Sequence, residues 1–332
     1  MCARVAIVYN EPIPSRYSLR GEDKAVFGVL ESVEAVHKSL LELGYNVVKV
    51  PLVPPIEEAD KKLRSLDVRF VFNLFEGFCG QPETEALVPE ILSGLDIPCT
   101  GCTADILTLG LNKPKTKALL EAAGIATPRY QVLEPDNISP FRLSFPCIVK
   151  PCAEDASHGV SAESVVHDIV SLERQVRVVS NSYGGKALVE EFIDGREFNA
   201  AVLGNSKYRV FPVSEIDYSL PPGMPKVLTI AAKWETDNNI YAQGTNVTCP
   251  AKLDIKDIQR ISEMVIAVFR LLKCRGYARV DMRLDKAERL NVLEVNPNPD
   301  ISPGSGAARQ AEAAGMTYTQ FVEMIIQLAL KK

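Results

Sequence analysis

The sequence predicts an α/β and α+β fold in three domains, and three observations support this prediction. At 332 residues, the chain is too long for one compact core, and two or three domains are expected. Strands and helices alternate through residues 3–102, which is typical of a parallel sheet covered by helices. The rest of the chain mixes strands and helices around a long polar segment. We therefore place the domains at 1–102, 103–194 and 195–332.

The first domain is predicted from a regular alternation of apolar strands and amphipathic helices. Its predicted elements are strands at 3–9, 46–50, 68–74 and 97–100 and helices at 22–43, 55–66 and 84–95. The longest of these helices has apolar residues at helical spacing, and Gly44 is placed to end it. No G-x-G-x-x-G sequence follows the first strand, which disfavours a dinucleotide-binding site.

The other two domains are predicted to combine strands and helices in a less regular order. Their predicted elements are helices at 112–123, 165–180, 254–272 and 317–330 and strands at 145–150, 187–192, 197–203 and 208–215. Between Asp217 and Pro250 the sequence is polar, and a long loop is predicted. A segment of this length is rarely a simple connection, and we predict that it is an active-site lid.

Composition limits the classes of protein to which the chain can belong. An apolar content of 46% and a charged content of 24% are those of a soluble globular enzyme. The net charge of −5 offers no basic surface to nucleic acid or anionic lipid. The apolar run at the N-terminus is too short for a signal peptide, and no later run approaches the about 18 residues of a membrane span. We expect a cytoplasmic protein without nucleic-acid or membrane partners.

The eight cysteines show no regular framework, and several lie inside predicted strands, which indicates reduced thiols. Cys99 and Cys102 form a C-x-x-C pair, for which a redox motif and half of a zinc site are the alternatives to chance spacing. No second C-x-x-C accompanies the pair, so chance is favoured. With only three histidines, a histidine-rich metal site is disfavoured.

The segment 276–306, GYARVDMRLDKAERLNVLEVNPNPDISPGSG, is predicted to begin with a β-hairpin. Residues 277–284 and 290–296 alternate apolar and polar side chains, and D-K-A-E supplies the turn. Side chains two apart on a strand share a face. The polar side chains predicted to share a face are Arg279, Asp281 and Arg283 on the first strand and Glu294 and Asn296 on the second.

This polar face has the chemistry of a metal and phosphate site. Asp281, Glu294 and Asn296 offer only oxygen ligands, which suit Mg²⁺ shared with nucleotide phosphates. Arg279 could hold a phosphate or a developing oxyanion. A surface hairpin with cross-strand ion pairs would carry similar residues. The prolines that end the strand just after Asn296 favour the metal site over that alternative.

R-V-D-M-R-L followed by L-E-V-N-P-N-P resembles the metal-binding end of the ATP-grasp superfamily, and the nearest family is that of the D-alanine–D-alanine ligases. The resemblance covers essentially the whole chain. It implies an N-terminal parallel-sheet domain and two α+β domains that grip ATP. It also implies an ADP-forming ligase that joins two amino acids through an acylphosphate, with ATP and Mg²⁺ or Mn²⁺, in peptidoglycan precursor synthesis. Relatives are often homodimers, so a homodimer is expected by analogy.

The resemblance also implies roles for individual residues. Asp281, Glu294 and Asn296 would hold the metal, and Arg279 would stabilise the oxyanion. Lys233 would reach the γ-phosphate from the lid, and Ser305 would bind the carboxylate of the second amino acid. The residues implied for the nucleotide are Lys113, Lys150, Ser157, Gly159, Glu190, Glu191, Ile193 and Glu197. The two lysines would bind the phosphates, and Ser157 and Gly159 would lie in a loop that covers the phosphates. Glu190, Glu191 and Ile193 would contact the edge of the base, and Glu197 would contact the ribose.

Several of these residues also fit an ordinary structural role. A lone lysine is usually a solvated surface residue, and the segment 152–161 could be a plain polar loop. Glu190 and Glu191 would also suit a half-buried edge strand. Trp234, next to Lys233, could be a loop anchor rather than part of the lid chemistry. No G-x-x-x-x-G-K-[ST] sequence occurs, which argues against the P-loop class.

Three departures from the ligase pattern leave the amino-acid substrates open. Pro14 and Ser15 stand where the family has a glutamate for the first ammonium group, and Glu11 could substitute only in a rebuilt loop. Asp300 replaces the loop glycine near the oxyanion, and Glu76 replaces a histidine in a segment that keeps its glycines. D-alanine, another amino acid, a peptide and a hydroxy acid stay as alternatives. An ATP-binding sensor or scaffold without catalysis is the other function class, which the intact nucleotide and metal residues disfavour.

Overall fold

The structure is a computed structural model that describes residues 3–13, 27–78, 80–154, 157–234 and 239–331. Three sheets account for its strands. The predicted Pro14 and Ser15 site, and the side chain of Trp234, lie outside the described residues. No helix in these ranges has both the length and the apolar character needed to cross a membrane.

The first sheet is parallel, as the βα alternation predicted. Its strands are β1 (Arg4–Asn10), β2 (Asn46–Leu52) and β3 (Val71–Leu74), in the order β2-β1-β3. Its helices are α1 (Val29–Glu42), α2 (Ile56–Arg64) and α3 (Leu87–Gly94), the last preceded by a 3₁₀ turn at Pro82–Ala86. The predicted strand at 97–100 is wrong, because only Cys99 bridges to Val71 before the chain turns at Gly101.

The second sheet has four antiparallel strands in the order β4-β7-β5-β6. Two helices, α4 (Ala104–Leu111) and α5 (Lys113–Ala122), precede it. The strands are β4 (Tyr130–Leu133), β5 (Cys147–Pro151), β6 (Val165–Val166) and β7 (Ala187–Glu191), and α6 (Ile169–Tyr183) packs on them. The predicted helix at 165–180 starts too early. Val165 and Val166 pair with β5, and Asp168 caps the helix by accepting a hydrogen bond from the Ser171 N–H.

The third sheet has six antiparallel strands, with β9 paired to β8 beside the main order β11-β10-β8-β12-β13. The strands are β8 (Glu197–Gly204), β9 (Tyr208–Val210), β10 (Ser214–Tyr218), β11 (Thr245–Thr248), β12 (Gly276–Leu284) and β13 (Leu290–Asn296). The helices are α7 (Ile230–Trp234), α8 (Ile240–Gly244), α9 (Ile255–Leu271), α10 (Gly306–Ala313) and α11 (Tyr318–Leu330).

Two predictions for this region are corrected by the structure. The predicted strand at 208–215 is two strands, because residues 211–213, which include a proline, separate β9 from β10. The polar segment 217–250 is not a plain loop, because it contains α7, α8 and β11. The predicted hairpin agrees with β12 and β13, and the D-K-A-E turn lies between them.

Helices cover both faces of the third sheet. On one face, buried residues of α9 pack against Phe198, Ala200 and Val280. On the other face, the sheet shares a core with α11, α1 and the first sheet, and Tyr277 lies in that core with both β1 and α11 side chains. The polar residues of the hairpin lie on this second face of the sheet, next to the apolar residues of the shared core. They are therefore held between packed layers rather than on a free surface.

At Gly195 the chain passes very close to the backbone of the hairpin. It lies in the bend between β7 and β8, and a β-carbon there would come 1.8 Å from the carbonyl oxygen of Leu284. We expect Gly195→Ala to lower the free energy of unfolding by about 3 kcal/mol, because backbone atoms must move apart. Gly94→Ala in α3 is the control, since nothing lies within 4 Å of its added carbon. Equal thermal unfolding midpoints for the two variants would contradict this.

The described cysteines show no sign of redox or metal chemistry. All six are free thiols, and burial raises the pKa of Cys99 to about 12. The Cys102 thiol donates a hydrogen bond to the Arg275 carbonyl at 3.1 Å. A cavity of about 720 Å³ lies beside these residues, but none of the predicted site residues lines it. The C-x-x-C spacing therefore gains no functional support.

Candidate active site

The register of the hairpin brings its polar side chains into direct opposition. Arg279 of β12 faces Asn296 of β13, and Asp281 faces Glu294. The register then shifts between Asp281 and Met282, where β13 contains one extra residue. On the other side of β12, Asn199 of β8 is the partner of Asp281. Two carboxylates and two amides thus lie next to one another on neighbouring strands.

Each of the two carboxylates has a cationic partner. The guanidinium of Arg279 donates to both oxygens of Asp281 at 2.7 and 2.9 Å. The ammonium of Lys113, at the start of α5, contacts the Glu294 carboxylate. Burial alone would raise the pKa of Glu294, but the positive charges around it, Lys113 foremost, lower it to about 2. The carboxylate is therefore ionised at neutral pH.

The donor set fits a divalent cation that prefers oxygen ligands. Asp281 and Glu294 provide two carboxylates on adjacent strands, with side chains 21% and 30% exposed. Asn296 lies two residues beyond Glu294, and its side-chain oxygen also accepts a hydrogen bond from the Asn298 N–H at 3.0 Å. Within the described ranges, no three His, Cys, Asp or Glu side chains cluster, so an ion here depends on the amide as third protein ligand.

A buried row of three charges lies beside this site. Glu190 of β7 is 1% exposed, and its two carboxylate oxygens contact different lysines. Oε1 lies 3.0 Å from the ammonium of Lys117, and Oε2 lies 2.9 Å from that of Lys150. Burial would raise the pKa of Glu190, but the two lysines lower it. Burial lowers the pKa of Lys117 to about 8, although Glu190 opposes the shift.

Lys117 is a functional candidate that the sequence motifs did not indicate. It lies one helical turn after Lys113 on α5, and this four-residue spacing was the available signal. Its ammonium also donates to the Thr127 hydroxyl at 2.7 Å, and that hydroxyl donates to the Val292 carbonyl at 2.8 Å. The structure directs the Glu190 side chain to the lysines, whereas its predicted place was the base edge.

A second buried cluster surrounds Glu197 at the start of β8. Its Oε2 accepts hydrogen bonds from Nε of Arg283 at 2.9 Å and from the hydroxyl of Tyr218 at 2.7 Å. Arg283 also donates to the Ile193 carbonyl at 2.8 Å. The cluster therefore fixes both a predicted ribose ligand and the backbone of a predicted base contact. Arg283 was placed on the polar hairpin face by the sequence, but neither it nor Tyr218 was assigned a role.

Glu191 and Lys233 are two further side chains predicted to bind the nucleotide. Because neighbouring residues of a strand point to opposite faces, Glu191 turns away from Glu190. Its carboxylate contacts Arg129 at 3.0 Å and accepts a hydrogen bond from the Ser144 N–H at 3.0 Å. Lys233 lies near the end of α7 with an exposed side chain.

The predicted phosphate loop has a constrained backbone in its described part. Ser157 and Gly159 both adopt positive φ, at 67° and 74°. A β-carbon on Gly159 would come 2.8 Å from Pro151 and from Tyr183, so glycine is needed there. The loop also joins α5, because the Lys113 N–H donates to the Cys152 carbonyl at 3.1 Å.

Asp300 and Ser305 shape the other end of the polar face. The Asp300 carboxylate accepts hydrogen bonds from the Ser302 N–H at 2.8 Å and the Ser32 hydroxyl at 3.2 Å. The Ser305 hydroxyl, at the N-terminus of α10, donates to the Asp300 carbonyl at 2.9 Å. Asp300 and Glu76 both line a narrow cavity next to Asn298. Two of the residues that depart from the ligase pattern therefore line the same cavity.

Three sheets with a lysine-rich, carboxylate-lined site between them define an ATP-grasp ligase. The family model described as D-ala D-ala ligase C-terminus matches residues 119–327. The chain belongs to the D-alanine–D-alanine ligase family of ATP-grasp enzymes, as the sequence motifs predicted.

Individual relatives match most of the chain. An uncharacterized protein, y4sG, of Sinorhizobium fredii is 35% identical over 79% of this chain and 75% of that protein. A D-alanine–D-alanine ligase of Alcanivorax borkumensis is 29% identical over 94% of this chain and 92% of its own length. The crystal structure of a D-alanine–D-alanine ligase from Bacillus anthracis complexed with ATP has a TM-score of 0.75 at 20% identity, covering 99% and 98% of the two chains. The fold is thus shared over the whole chain.

Proposed function

We propose that this protein is an ATP-dependent, ADP-forming ligase that joins two amino acids through an acylphosphate, as a D-alanine–D-alanine ligase or a relative of altered specificity. One observation carries the proposal. Two carboxylates, those of Asp281 and Glu294, face each other across β12 and β13, with the ammonium of Lys113 against one of them. Lys150 adds a further positive charge close enough to lower the pKa of Glu294. This arrangement suits a triphosphate and its metal ion.

The nucleotide end of the site is assigned from these charges. Lys113 and Lys150 bind the β- and γ-phosphates, and Lys233 joins them when the α7 segment closes. The N–H groups of Ser157 and Gly159 contact the phosphates from the loop after β5. Glu197, held by Arg283, accepts hydrogen bonds from the ribose hydroxyls. The residues assigned to the base edge are Glu190, Glu191 and Ile193, the first through its main chain.

The metal end has Asp281, Glu294 and Asn296 as its protein ligands. A Mg²⁺ or Mn²⁺ ion bound there supplies neutralisation of phosphate charge. The same carboxylates orient Arg279 and Lys113, so the cationic side chains are already in place around the reacting groups. Fixed charges of this kind need little rearrangement when the phosphoryl group moves.

The amino-acid end performs the acyl transfer. A carboxylate oxygen of the first amino acid attacks the γ-phosphorus, which releases ADP and leaves an acylphosphate. The amine of the second amino acid then attacks the acyl carbon, the C–N bond forms, and phosphate leaves as the amine loses a proton. Arg279 stabilises the tetrahedral oxyanion that forms after the amine attacks and before phosphate leaves. Ser305, at the N-terminus of α10, binds the carboxylate of the second amino acid.

A substrate screen tests this proposal. ADP and phosphate release should be measured with Mg²⁺–ATP and with D-alanine, other D- and L-amino acids, dipeptides and hydroxy acids. We expect release only when an amino-acid acceptor is present, together with a new ligated product. Binding of Mg²⁺–ATP without release across the whole panel would instead support a sensor or scaffold. The same proposal places the enzyme in the cytoplasm, where ATP is available.

A further inference from the structure

The row formed by Lys117, Glu190 and Lys150 contains two positive charges and one negative charge. Two ammonium groups contact the two oxygens of a single carboxylate, so the row has a net charge of +1. All three side chains are largely withdrawn from water, with 2%, 2% and 11% of their surfaces exposed in the order given. In such surroundings water screens the charges little, and the balance within the row decides what a neighbouring anion meets.

Glu190 alone would cancel the charge of Lys150. The carboxylate lies 2.9 Å from that ammonium, within ion-pair distance, and phosphates would then compete with a buried anion for the lysine. Lys117 removes this competition, because its ammonium lies 3.0 Å from the other oxygen of the same carboxylate. The pair Lys117–Glu190 is neutral, and the positive charge of Lys150 is left over.

Lys117 is also held firmly from the side away from Glu190. Its ammonium donates to the Thr127 hydroxyl, which donates to the Val292 carbonyl of β13. The lysine therefore has a fixed position between the second and third sheets. The hydrogen bond to Thr127 holds the Lys117 ammonium at ion-pair distance from Glu190.

We propose that Lys117 is a positioning residue for ATP: by neutralising Glu190, it leaves the charge of Lys150 available to the phosphates of the nucleotide. This inference rests on the proposed function only through the assignment of Lys150 to the phosphates. In this role Lys117 acts through its contact with Glu190 and not through a contact with the nucleotide. An ion pair with a purely structural purpose would give the same contacts, and the two roles differ in how paired substitutions behave.

Charge rescue separates the two roles. Equilibrium binding of ATP, ADP and AMP should be measured for Lys117→Met, Glu190→Gln and the double variant. We expect Lys117→Met to weaken ATP binding about tenfold or more, since a buried carboxylate then cancels Lys150, and to change AMP binding little. Glu190→Gln keeps the main chain that is assigned to the base edge and removes only the negative charge, so it should not weaken ATP binding. The double variant should return towards the wild-type affinity, because Lys150 is again the uncancelled charge.

The outcomes are decisive in both directions. If the double variant binds ATP as weakly as Lys117→Met, or more weakly, the ion pair is structural and the inference is overturned. Equal losses for AMP and ATP would overturn it as well. Lys115→Met, which removes an exposed charge from the same helix, is the matched control and should leave all three affinities unchanged.

Folding and function are controlled separately. Thermal unfolding of each variant checks the fold, and Lys117→Arg should preserve the preference for ATP over AMP because the positive charge is kept. Should Lys117→Met fail to fold, Glu190→Gln still decides: weakened ATP binding there overturns the inference. Binding is measured without turnover. A protein that ligates no amino acid would therefore contradict the proposed function, and this inference could still be tested.

Discussion

Replacing Asp281 by Asn and Glu294 by Gln together should lower kcat with Mg²⁺–ATP about a thousandfold or more, since neutralisation of phosphate charge by a metal ion is worth several kcal/mol. The two carboxylates face each other across β12 and β13, and they are the only charged members of the proposed ligand set. The dependence of the rate on Mg²⁺ concentration should also move to higher concentrations. Steady-state kinetics over a Mg²⁺ titration measures both effects.

The control for this experiment lies at the other end of the same hairpin. Glu288→Gln removes one carboxylate from the exposed turn and should leave the kinetics unchanged. The double substitution also leaves Arg279 and Lys113 without their anionic partners, so thermal unfolding must be measured in parallel. A folded double variant with normal Mg²⁺ dependence and turnover would exclude a metal site on the hairpin.

Arg279→Lys should lower kcat about a hundredfold to a thousandfold while changing KM for ATP little, because an oxyanion forms only in the transition state. Burial would lower the pKa of Arg279, but Asp281 outweighs burial and raises it, so this guanidinium stays charged. Lysine keeps the charge but loses the two parallel hydrogen bonds to Asp281, and with them the orientation of the group.

The matched control is Arg289→Lys in the exposed turn of the hairpin, where Arg289 pairs with Asp285 at 2.8 Å. That variant should have wild-type kcat and KM. A kcat within tenfold of wild type for Arg279→Lys would show that the oxyanion is stabilised elsewhere. A loss confined to KM for ATP would indicate a phosphate ligand rather than an oxyanion ligand.

The hairpin was predictable because a period of two residues places alternate side chains on one face wherever the strand lies. The same rule set Arg279 beside Asp281 and Glu294 beside Asn296. The register between strands was not readable, because the extra residue of β13 has no separate sequence signal. Arg283 shares the predicted face, yet it serves Glu197 rather than the metal site.

The misses have local physical causes. Val165 and Val166 are apolar like the helix that follows them, so periodicity alone could not divide β6 from α6. The strand β4 and the helix α10 are short, and long-range contacts stabilise them more than their own residues do. Lys117 looks like an exposed helical lysine in the sequence, because burial of such a residue depends on a partner 73 positions away, Glu190. Residues 14–26 lie outside the described ranges, so the loss of the first-subsite glutamate at Pro14 and Ser15 stays a prediction.

Helix α5 contacts both the second and the third sheet through its lysine side chains. Lys113 contacts Glu294 of the third sheet, Lys117 contacts Glu190 of the second, and Thr127 ties the following segment to Val292. A fragment that ends at the proposed boundary after residue 194 would keep Glu190 but lose both Glu294 and Val292. The residues proposed to bind the nucleotide are therefore held by contacts between the second and third sheets, and inhibitor screening or fusion designs should keep these two sheets together.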